Sequence, residues 1–291
     1  MGHMRVNRAA TLIEILVVIA IIAIMSAILF PVFKSARQAA NAGVCASRFG
    51  NAAKAQTLYT GDYDDKFVPS SYQSVSKADP VLDRKWPQLL QSYTKGYASF
   101  VCPEDKAVRP SAEKVFNADL SLADPESRNY VLAQRTNIGY NGVFLSPLVA
   151  RGINQLVPEP VPTSGLAEPS TTILFVDSVW EVRNSSPRGG GRYLVQPPCR
   201  NIQSGFGRVT AVTPDLDTLQ NGLLVGWIPR NSLDEFSYGG TWPWHNGRMT
   251  VAYTDGHVKL LTPRELSQGC SVQGTEGGTI RDLATYLWDL Q

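Results

Sequence analysis

One long apolar run near the N-terminus dominates the pattern of hydrophobic and polar positions. From Ile15 to Phe33, nineteen residues carry no charge, and Ser26 is the only polar side chain among them. A helix of this length covers roughly 29 Å, which is close to the hydrocarbon thickness of a bilayer. The run therefore predicts a helix that spans a membrane.

The helical pattern continues beyond this run with more polar residues. Apolar or small residues recur at an irregular helical period, and Gly61 followed by an acidic stretch predicts the end of the helix near Tyr59. The apolar or small positions are Phe33, Ala36, Ala40, Val44, Ser47 and Leu58. The pattern predicts an amphipathic continuation over residues 34–60 and a globular head over residues 61–291.

Two runs of β-branched and aromatic residues predict strands in the head. Residues 97–102 are followed by Pro103, and residues 171–177 are bounded by Pro169 and by polar residues. This composition is typical of buried strands, and prolines are expected just outside them. Both runs are therefore expected in the core of the head.

Residues 248–262 predict a β-hairpin. Asp255-Gly256 separates two alternating runs and favours a two-residue type I′ turn, which pairs Thr254 with His257. This register gives the hairpin one apolar face and one face that is mostly in water. The apolar face comprises Met249, Val251, Tyr253, Val258 and Leu260. An antiparallel sheet packed on the long helix is the expected architecture, so the fold class is α+β.

Composition and charge narrow the class of protein. Hydrophobic residues make up 43% of the chain, which argues against disorder, and most of the 24 Gly and 19 Pro lie beyond residue 60, which argues against a purely helical fold. The 27 basic and 25 acidic side chains give a formal net charge of +2. This charge is too small to attract nucleic acid over long range, so no nucleic-acid partner is expected.

The flanks of the apolar run predict its topology. Arg5 and Arg8 precede the run, so the positive-inside rule keeps the first residues in the cytoplasm and exports the rest. A cleaved secretory signal would need a shorter apolar core and a small-x-small cleavage site. A plain signal anchor gives no reason for Glu14, because an ionised carboxylate at the edge of hydrocarbon costs about 2 to 3 kcal/mol.

Residues 8–14, Arg-Ala-Ala-Thr-Leu-Ile-Glu, run directly into this apolar helix. The segment resembles the leader and N-terminal helix of type IV pilins and type II secretion pseudopilins. The resemblance implies that prepilin peptidase removes residues 1–9 by cutting between Ala9 and Ala10, and that the new amine is methylated. The family usually has Gly before the cut and Phe after it. Residues 10–33 would then form the transmembrane and polymerisation helix.

The resemblance also gives Glu14 and Pro31 roles in assembly. In a filament, the amine of one subunit's Ala10 can lie beside Glu14 of its neighbour, so that two charges buried in lipid compensate each other and fix the register of subunits. The alternative is that Glu14 reaches the lipid headgroups by itself. Pro31 removes a backbone hydrogen bond and loosens the helix locally, at a position where many pilins also have proline.

The fold implied by the resemblance is a pilin-like lollipop, and the implied function is that of a structural subunit. The filament would be a type IV pilus-like fibre or a type II secretion pseudopilus. Its partners would be further copies of the chain, prepilin peptidase, and an assembly platform with its ATPase. The chain would cross the bacterial inner membrane once, with its N-terminus cytoplasmic and its head extracytoplasmic, and would reach the cell surface or the medium in the filament.

A second resemblance lies near the C-terminus. His245, nine further residues and then Asp255-Gly256 are similar to a His and Asp-Gly motif found in many large bacterial pilin-like proteins. In those relatives a Tyr-Asn-Gly segment, here Tyr140-Asn141-Gly142, precedes the motif. The role of the motif stays open.

Catalysis and metal binding are weakly supported by the sequence. His245, His257, Asp177 and Asp255 are the candidates for acid–base chemistry, but the H-E-x-x-H, G-x-S-x-G and P-loop motifs are missing, so we expect no enzyme and no cofactor. The acidic stretch offers Ca²⁺ three carboxylates, and without an EF-hand pattern a solvated helix end is the preferred interpretation. These weak metal candidates are Asp62, Asp64 and Asp65.

The alternative function is a membrane-anchored extracytoplasmic protein that binds a carbohydrate or a protein. Trp227, Trp242 and Trp244 could form such a surface, although tryptophan more often packs in a core, so we expect at least two of them to be buried.

The four cysteines follow the apolar run and should face an oxidising compartment. Four cysteines allow three connectivities. We favour Cys45 with Cys102, which ties the predicted strand to the exposed part of the helix, and Cys199 with Cys270, which fastens a long loop to the region after the hairpin.

Overall fold

The structure is a computed structural model of the chain. It describes residues 12–71, 84–94, 96–105, 125–150, 156–183, 186–188, 190–203, 209–211, 227, 238–272 and 278–290. Contacts along the backbone divide the chain into two compact units, residues 1–40 and residues 41–291.

The first unit contains most of a long helix, α1, which extends from Leu12 to Asp62 and continues into the second unit. It is long and apolar enough to cross a membrane, as the apolar run predicts. The helix is unbroken at Pro31. It ends at Asp62, where Asp64 and Asp65 adopt positive φ angles, so the predicted end of the helix is confirmed.

The part of α1 in the second unit buries a different face from the predicted one. The positions expected to be buried are all exposed, including Val44 at 43% and Leu58 at 57%. The buried positions of α1 are Cys45, Phe49, Ala52, Ala53, Ala55, Gln56, Tyr59 and Thr60. Small alanines let the helix approach the core closely while two aromatic rings fill the space beside it. Because the pattern gives weight to large aliphatic side chains such as Val44 and Leu58, it predicted the wrong buried face.

Among the residues that the structure describes, four short α-helices follow α1 in the second unit. They are α2 (Trp86–Leu89), α3 (Pro125–Gln134), α4 (Gly142–Leu145) and α5 (Pro263–Leu266). The strands are β1 (Ile138–Tyr140), β2 (Leu148–Ala150), β3 (Leu156–Pro158), β4 (Ile173–Asp177), β5 (Glu181–Arg183), β6 (Ser186–Arg188), β7 (Cys199–Gln203), β8 (Val209–Ala211), β9 (Met249–Tyr253), β10 (Val258–Leu261), β11 (Cys270–Ser271) and β12 (Gly278–Ile280).

The central sheet has the strand order β1-β4-β9-β10, and every neighbouring pair is antiparallel. The α+β class with a long N-terminal helix and an antiparallel sheet is thereby confirmed. All five residues of β4 and all five of β9 are buried. These two strands are covered on both faces, so the expectation that one face of the hairpin is wet is wrong for β9.

The hairpin itself is confirmed, but its predicted register is wrong by one residue. Val258 pairs with Ala252 and Leu260 with Thr250, and the backbone N–H of Tyr253 donates to the carbonyl of His257. The loop therefore has three residues, of which Gly256 alone has a positive φ. A type I′ turn needs positive φ at both central residues, whereas a three-residue loop needs it only at the last one.

The predicted strand at residues 97–102 is also wrong. Tyr97–Phe100 forms a turn of 3-10 helix, with the N–H of Ser99 donating to the carbonyl of Gly96. Phe100 is buried and packs edge-on against Trp86, with ring centroids 5.4 Å apart. Packing against a tryptophan outweighs the local preference of these residues for a strand.

A second sheet has the order β11-β12-β7-β8 and contains one parallel pair, β12 with β7. The predicted strand at residues 171–177 is confirmed as β4, which lies beside β9 in the central sheet. Because β4 ends at Asp177 and β9 follows His245 by four residues, the central sheet brings these two side chains to one end of the strand pair.

Candidate functional site

The N-terminal part of α1 presents a continuous apolar surface. Every large hydrophobic side chain between Leu12 and Phe33 is exposed, and Leu12 and Phe33 themselves are 79% and 65% exposed. Burying such a surface in lipid or against other helices is favourable by about 25 cal/mol for each Å² of apolar area removed from water. This surface can therefore insert in a bilayer and pack against other apolar helices.

Glu14 is the acidic residue in the first turn of α1. A carboxylate in this position interacts favourably with the positive end of the helix dipole. Pro31 lies within the same helix, seventeen residues further along and equally exposed. The predicted cleavage residues Ala9 and Ala10 lie outside the residues that the structure describes.

Comparison with known proteins identifies this segment. Residues 4–30 match the family model of the prokaryotic N-terminal methylation motif. The chain carries a prepilin-type N-terminal motif. No curated protein and no solved structure matches the chain. The match includes Ala9, Ala10 and Glu14 and supports a type IV pilin-like protein that is processed as a prepilin.

The C-terminal His and Asp-Gly motif is split by the fold. His245 lies before β9 in a tight turn, where its N–H donates to the carbonyl of Arg248. Asp255 and Gly256 lie in the loop after β9, at the other end of a five-residue strand. A strand of that length spans about 17 Å, so His245 and Asp255 do not share a site.

Asp255 organises the hairpin loop. Its carboxylate accepts hydrogen bonds from the backbone N–H and the Nδ1 of His257, at 3.0 and 2.6 Å. The ring of His257 stacks on Tyr253, with centroids 4.1 Å apart. These contacts give Asp255 and His257 a structural role at the surface.

His245 belongs to a buried polar cluster. Its Nε2 lies 3.5 Å from Oδ2 of Asp177 and 3.7 Å from Sγ of Cys102. The side chains of His245 and Asp177 are 3% and 0% exposed, and Cys45 and Cys102 are 1% and 2% exposed. We define these four residues, His245, Asp177, Cys45 and Cys102, as the His245 cluster.

Burial sets the protonation of the two titratable members of the His245 cluster. Desolvation raises the pKa of Asp177 to about 7, against the effect of a hydrogen bond of 2.5 Å from the backbone N–H of Thr250. Desolvation lowers the pKa of His245, although the negative charge of Glu104 acts in the opposite direction. Both groups are therefore driven towards their neutral forms near neutral pH.

The two cysteines of the cluster form a disulfide that joins α1 to the segment after the 3-10 turn. The guanidinium of Arg48 donates to the carbonyl of Val101, and the side-chain amide of Asn41 donates to the carboxylate of Glu104. The helix is thus fastened to residues 101–104 by one covalent bond and by two hydrogen bonds on either side of it.

The second disulfide joins Cys199 in β7 to Cys270 in β11. The two strands lie on either side of β12 in the second sheet. All four cysteines are paired, and the pairs are those favoured from the sequence.

Tyr140-Asn141-Gly142 is a buried junction of backbone segments. The amide of Asn141 donates to the carbonyls of Ile173 and Trp288, at 3.0 and 2.8 Å. The hydroxyl of Tyr140 donates to the carbonyl of Val68 at 3.0 Å. A Cβ atom at Gly142 would lie 2.8 Å from Leu194 Cδ2. The segment therefore holds β4, the C-terminal residues and the start of the head together.

Asp62, Asp64 and Asp65, at the end of α1 and just beyond it, are not among the described groups of side chains that lie close enough together to hold a metal ion. Asp62 accepts a hydrogen bond of 2.6 Å from the hydroxyl of Tyr93, which raises the pKa of Tyr93 to about 12. Among the described residues, three side chains lie close enough together to hold a metal ion in a different place, at Cys45, Cys102 and His245.

Two of the three tryptophans proposed for a binding surface are buried, as expected. Trp227 and Trp242 are 3% and 7% exposed. Trp244 is partly exposed and donates its indole N–H to the carbonyl of Ser178 at 3.0 Å. These rings pack inside the second unit and do not favour the alternative of an anchored carbohydrate-binding protein.

The sequence places Asp177 and His245 among the same acid–base candidates but does not show that they meet. Asp177 ends the run that becomes β4, and His245 lies four residues before β9, which is the signal that was available. Their contact follows from the pairing of β4 with β9, which are 71 residues apart from the end of one to the start of the other. Pairing between distant strands is not encoded in either run alone.

Proposed function

We propose that the protein is a structural subunit of a type IV pilus-like or type II secretion pseudopilus filament and that it polymerises through α1. One observation carries this proposal: Glu14 lies in the first turn of an exposed apolar helix, within the prepilin-type motif over residues 4–30. The carboxylate of Glu14 therefore lies where the amine of a second subunit could compensate its charge.

The proposed contact joins Glu14 of one subunit to the free amine of Ala10 of the next. The amine exists only after prepilin peptidase has removed residues 1–9. Leaving either charge unpaired in an apolar environment costs several kcal/mol, so the pair selects one axial register between neighbouring helices. Cleavage therefore controls assembly in this mechanism.

The proposal places the chain in the bacterial inner membrane as a single-pass protein before assembly. The N-terminus is cytoplasmic because Arg5 and Arg8 precede the apolar run. The head is extracytoplasmic, and two disulfides suit an oxidising compartment. An assembly platform with its ATPase then moves the subunit into a fibre at the cell surface or in the medium.

We propose a structural role for the head, without catalysis and without a required cofactor. Asp177 and His245, the strongest acid–base candidates, are buried beneath the surface, and His245 contacts a disulfide. Asp255 and His257 are engaged with each other at the hairpin loop. These contacts give each of the four acid–base candidates a structural role in the fold.

The test is to shear the cells, pellet the released material and examine it by negative-stain microscopy and by peptide mass spectrometry. Fibres that contain the chain with methylated Ala10 at its N-terminus are expected. Fibres that retain Arg5 and Arg8 would refute the processing step. A chain found only in the membrane fraction, with no fibres, would favour the anchored binding protein instead.

A further inference from the structure

The His245 cluster gathers metal-ligating atoms from four separate parts of the chain. Cys45 lies in α1, Cys102 follows the 3-10 turn, Asp177 ends β4 and His245 precedes β9. The sulfurs of both cysteines and a ring nitrogen of His245 all lie within 4.8 Å of one another, and all three residues are buried. The Oδ2 of Asp177 lies 3.5 Å from Nε2 of His245 but outside this group of mutually close ligand atoms.

The distance between one sulfur and the ring nitrogen fits tetrahedral coordination of zinc. Zinc binds sulfur at about 2.3 Å and nitrogen at about 2.0 to 2.1 Å, so a tetrahedral site separates S from N by about 3.6 Å. The corresponding separation in the structure is 3.7 Å, from Cys102 Sγ to His245 Nε2. This edge of the tetrahedron is therefore already in place.

The remaining change is confined to the two sulfurs. As a disulfide they are bonded to each other, whereas a tetrahedral zinc site holds them roughly 3.8 Å apart. The Cα atoms of Cys45 and Cys102 are 5.4 Å apart. Breaking the bond frees both side chains to turn away from each other while His245 and Asp177 keep their places.

The polar groups of the cluster are incompletely satisfied when the disulfide is closed. Within the described residues, Oδ1 of Asp177 and Nδ1 of His245 are buried without a hydrogen-bond partner. A buried carboxylate without a full set of partners is costly, and a bound cation would compensate its charge. Thiolates and an imidazole are soft and intermediate ligands, which favour zinc over calcium or magnesium.

We propose that the chain with a reduced Cys45–Cys102 pair binds one Zn²⁺ through Cys45, Cys102 and His245, with a water molecule in the fourth position. A dithiol reductant supplies two electrons and two protons to the disulfide and is itself oxidised to a disulfide. The zinc ion then displaces the two thiol protons, which pass to solvent. A disulfide oxidant reverses the process: it takes two electrons from the two thiolates, is itself reduced to a dithiol, and the metal is released as the Cys45–Cys102 bond forms again.

Zinc and the disulfide are thus two alternative cross-links at the same position in the fold. Both fasten α1 to the segment that contains Cys102. The zinc-bound state also includes the turn before β9, because His245 becomes a ligand.

The experiment uses the full chain in detergent, reduced with a dithiol, freed of metal with a chelator and then titrated with Zn²⁺ against a chromogenic chelator. The variant Cys199→Ser/Cys270→Ser keeps only the cysteines of the His245 cluster. The matched variant Cys45→Ser/Cys102→Ser keeps only the other pair. His245→Gln removes the nitrogen ligand, and His257→Gln is its control at the exposed hairpin loop.

We expect one zinc ion per chain in the reduced Cys199→Ser/Cys270→Ser variant and none in the same variant when it is oxidised. The affinity should fall at least about tenfold on adding His245→Gln and stay unchanged on adding His257→Gln. The matched cysteine variant should bind no zinc. A reduced Cys199→Ser/Cys270→Ser chain that binds no zinc, or binds it equally well without His245, would overturn the proposal.

A thermal measurement decides the question if the serine variants fail to fold. Zinc should raise the midpoint of thermal unfolding of the reduced wild-type chain in a concentration-dependent way, because it binds the folded state. It should leave the midpoint of the oxidised chain and of the reduced His245→Gln chain unchanged. Equal shifts in all three samples, or no shift in the reduced wild-type chain, would exclude the site.

Discussion

Asp177 is a carboxylate that is buried away from water, and the loss of its proton lowers the free energy of unfolding. Its pKa rises from 3.8 in the unfolded chain to about 7 in the fold, so the folded state binds this proton more tightly. Stability associated with Asp177 is therefore full below pH 4 and is lost as the pH rises towards 7. His245 acts in the opposite sense, because burial lowers its pKa below 6.5 and folding is penalised as the pH falls through that value.

These opposing effects predict opposite pH slopes in two variants. Asp177→Asn leaves the effect of His245, so its free energy of unfolding should increase between pH 5 and pH 7. His245→Gln leaves the effect of Asp177, so its free energy of unfolding should decrease over the same range, by on the order of 2 kcal/mol. Urea unfolding of the detergent-solubilised chain, with its disulfides intact, measures both. Parallel slopes would show that the pair titrates as a single unit.

Glu14 gives a second prediction for a single residue. Glu14→Ala should insert in the membrane at least as well as the wild type, because the helix becomes more apolar, but should yield at least about tenfold fewer fibres. Quantitative immunoblots of the sheared and membrane fractions measure the two quantities. Ser26→Ala removes the one polar side chain within the apolar run and should assemble normally. Equal yields from both variants would remove the register role of Glu14.

The two residues differ in how far the sequence reveals them. Glu14 interrupts an apolar pattern that is local, so its importance can be predicted from a dozen neighbours. The partners of Asp177 are His245 and the backbone N–H of Thr250, and only the order of strands in the central sheet brings them together. The first kind of site is readable from periodicity, whereas the second requires the tertiary fold.

The hairpin shows the same limit at the scale of an element. Asp255-Gly256 between two alternating runs correctly indicated two paired strands, β9 and β10. The number of loop residues depends on which of them takes a positive φ, and Gly256 alone does so, at 93°. A change of one residue in loop length moves every side chain of β10 to the other face. The local pattern could not distinguish the two loops.

The conformation of Gly256 predicts the sign of a substitution. Gly256→Ala should lower the free energy of unfolding by about 1 kcal/mol, because a positive φ is strained for alanine although the site has no neighbouring atom within 4 Å. Gly43→Ala is the matched control, since it lies within α1 with equally open space around it. There alanine favours the helix and should raise the free energy of unfolding by up to about 1 kcal/mol. Urea midpoints of the two variants should move in opposite directions, and a shared direction would contradict the assigned loop.

The prediction of the buried face of α1 was wrong for a different reason. Its buried stretch uses alanines at positions 52, 53 and 55, which carry little hydrophobic signal but permit close packing. Val44 and Leu58 are exposed in spite of their larger apolar side chains. The continuity of the helix and its C-terminal end, to within three residues, were predictable from the pattern, whereas the identity of the buried face depended on shape.

At the scale of the whole molecule, the oxidation state of the cysteines reports the compartment of the head. Protein from the cell surface, alkylated before lysis, should give peptides linking Cys45 to Cys102 and Cys199 to Cys270 on mapping without reductant. Reduction of the same sample should release all four thiols. Four thiols already alkylated before reduction would contradict both the pairing and the export of the head.

The Cys45–Cys102 bond also sets how the subunit carries a pulling force. A load applied along α1 from its N-terminal end reaches Cys45 and passes through a covalent bond directly to Cys102. The stretch of chain between these two positions, which are 57 residues apart in sequence, is shielded from that load. If the bond were cut, the same stretch could be drawn out to roughly 190 Å before tension reached Cys102 along the backbone. The bond therefore makes the subunit a short tether, and its reduction would convert that tether into a long extensible one.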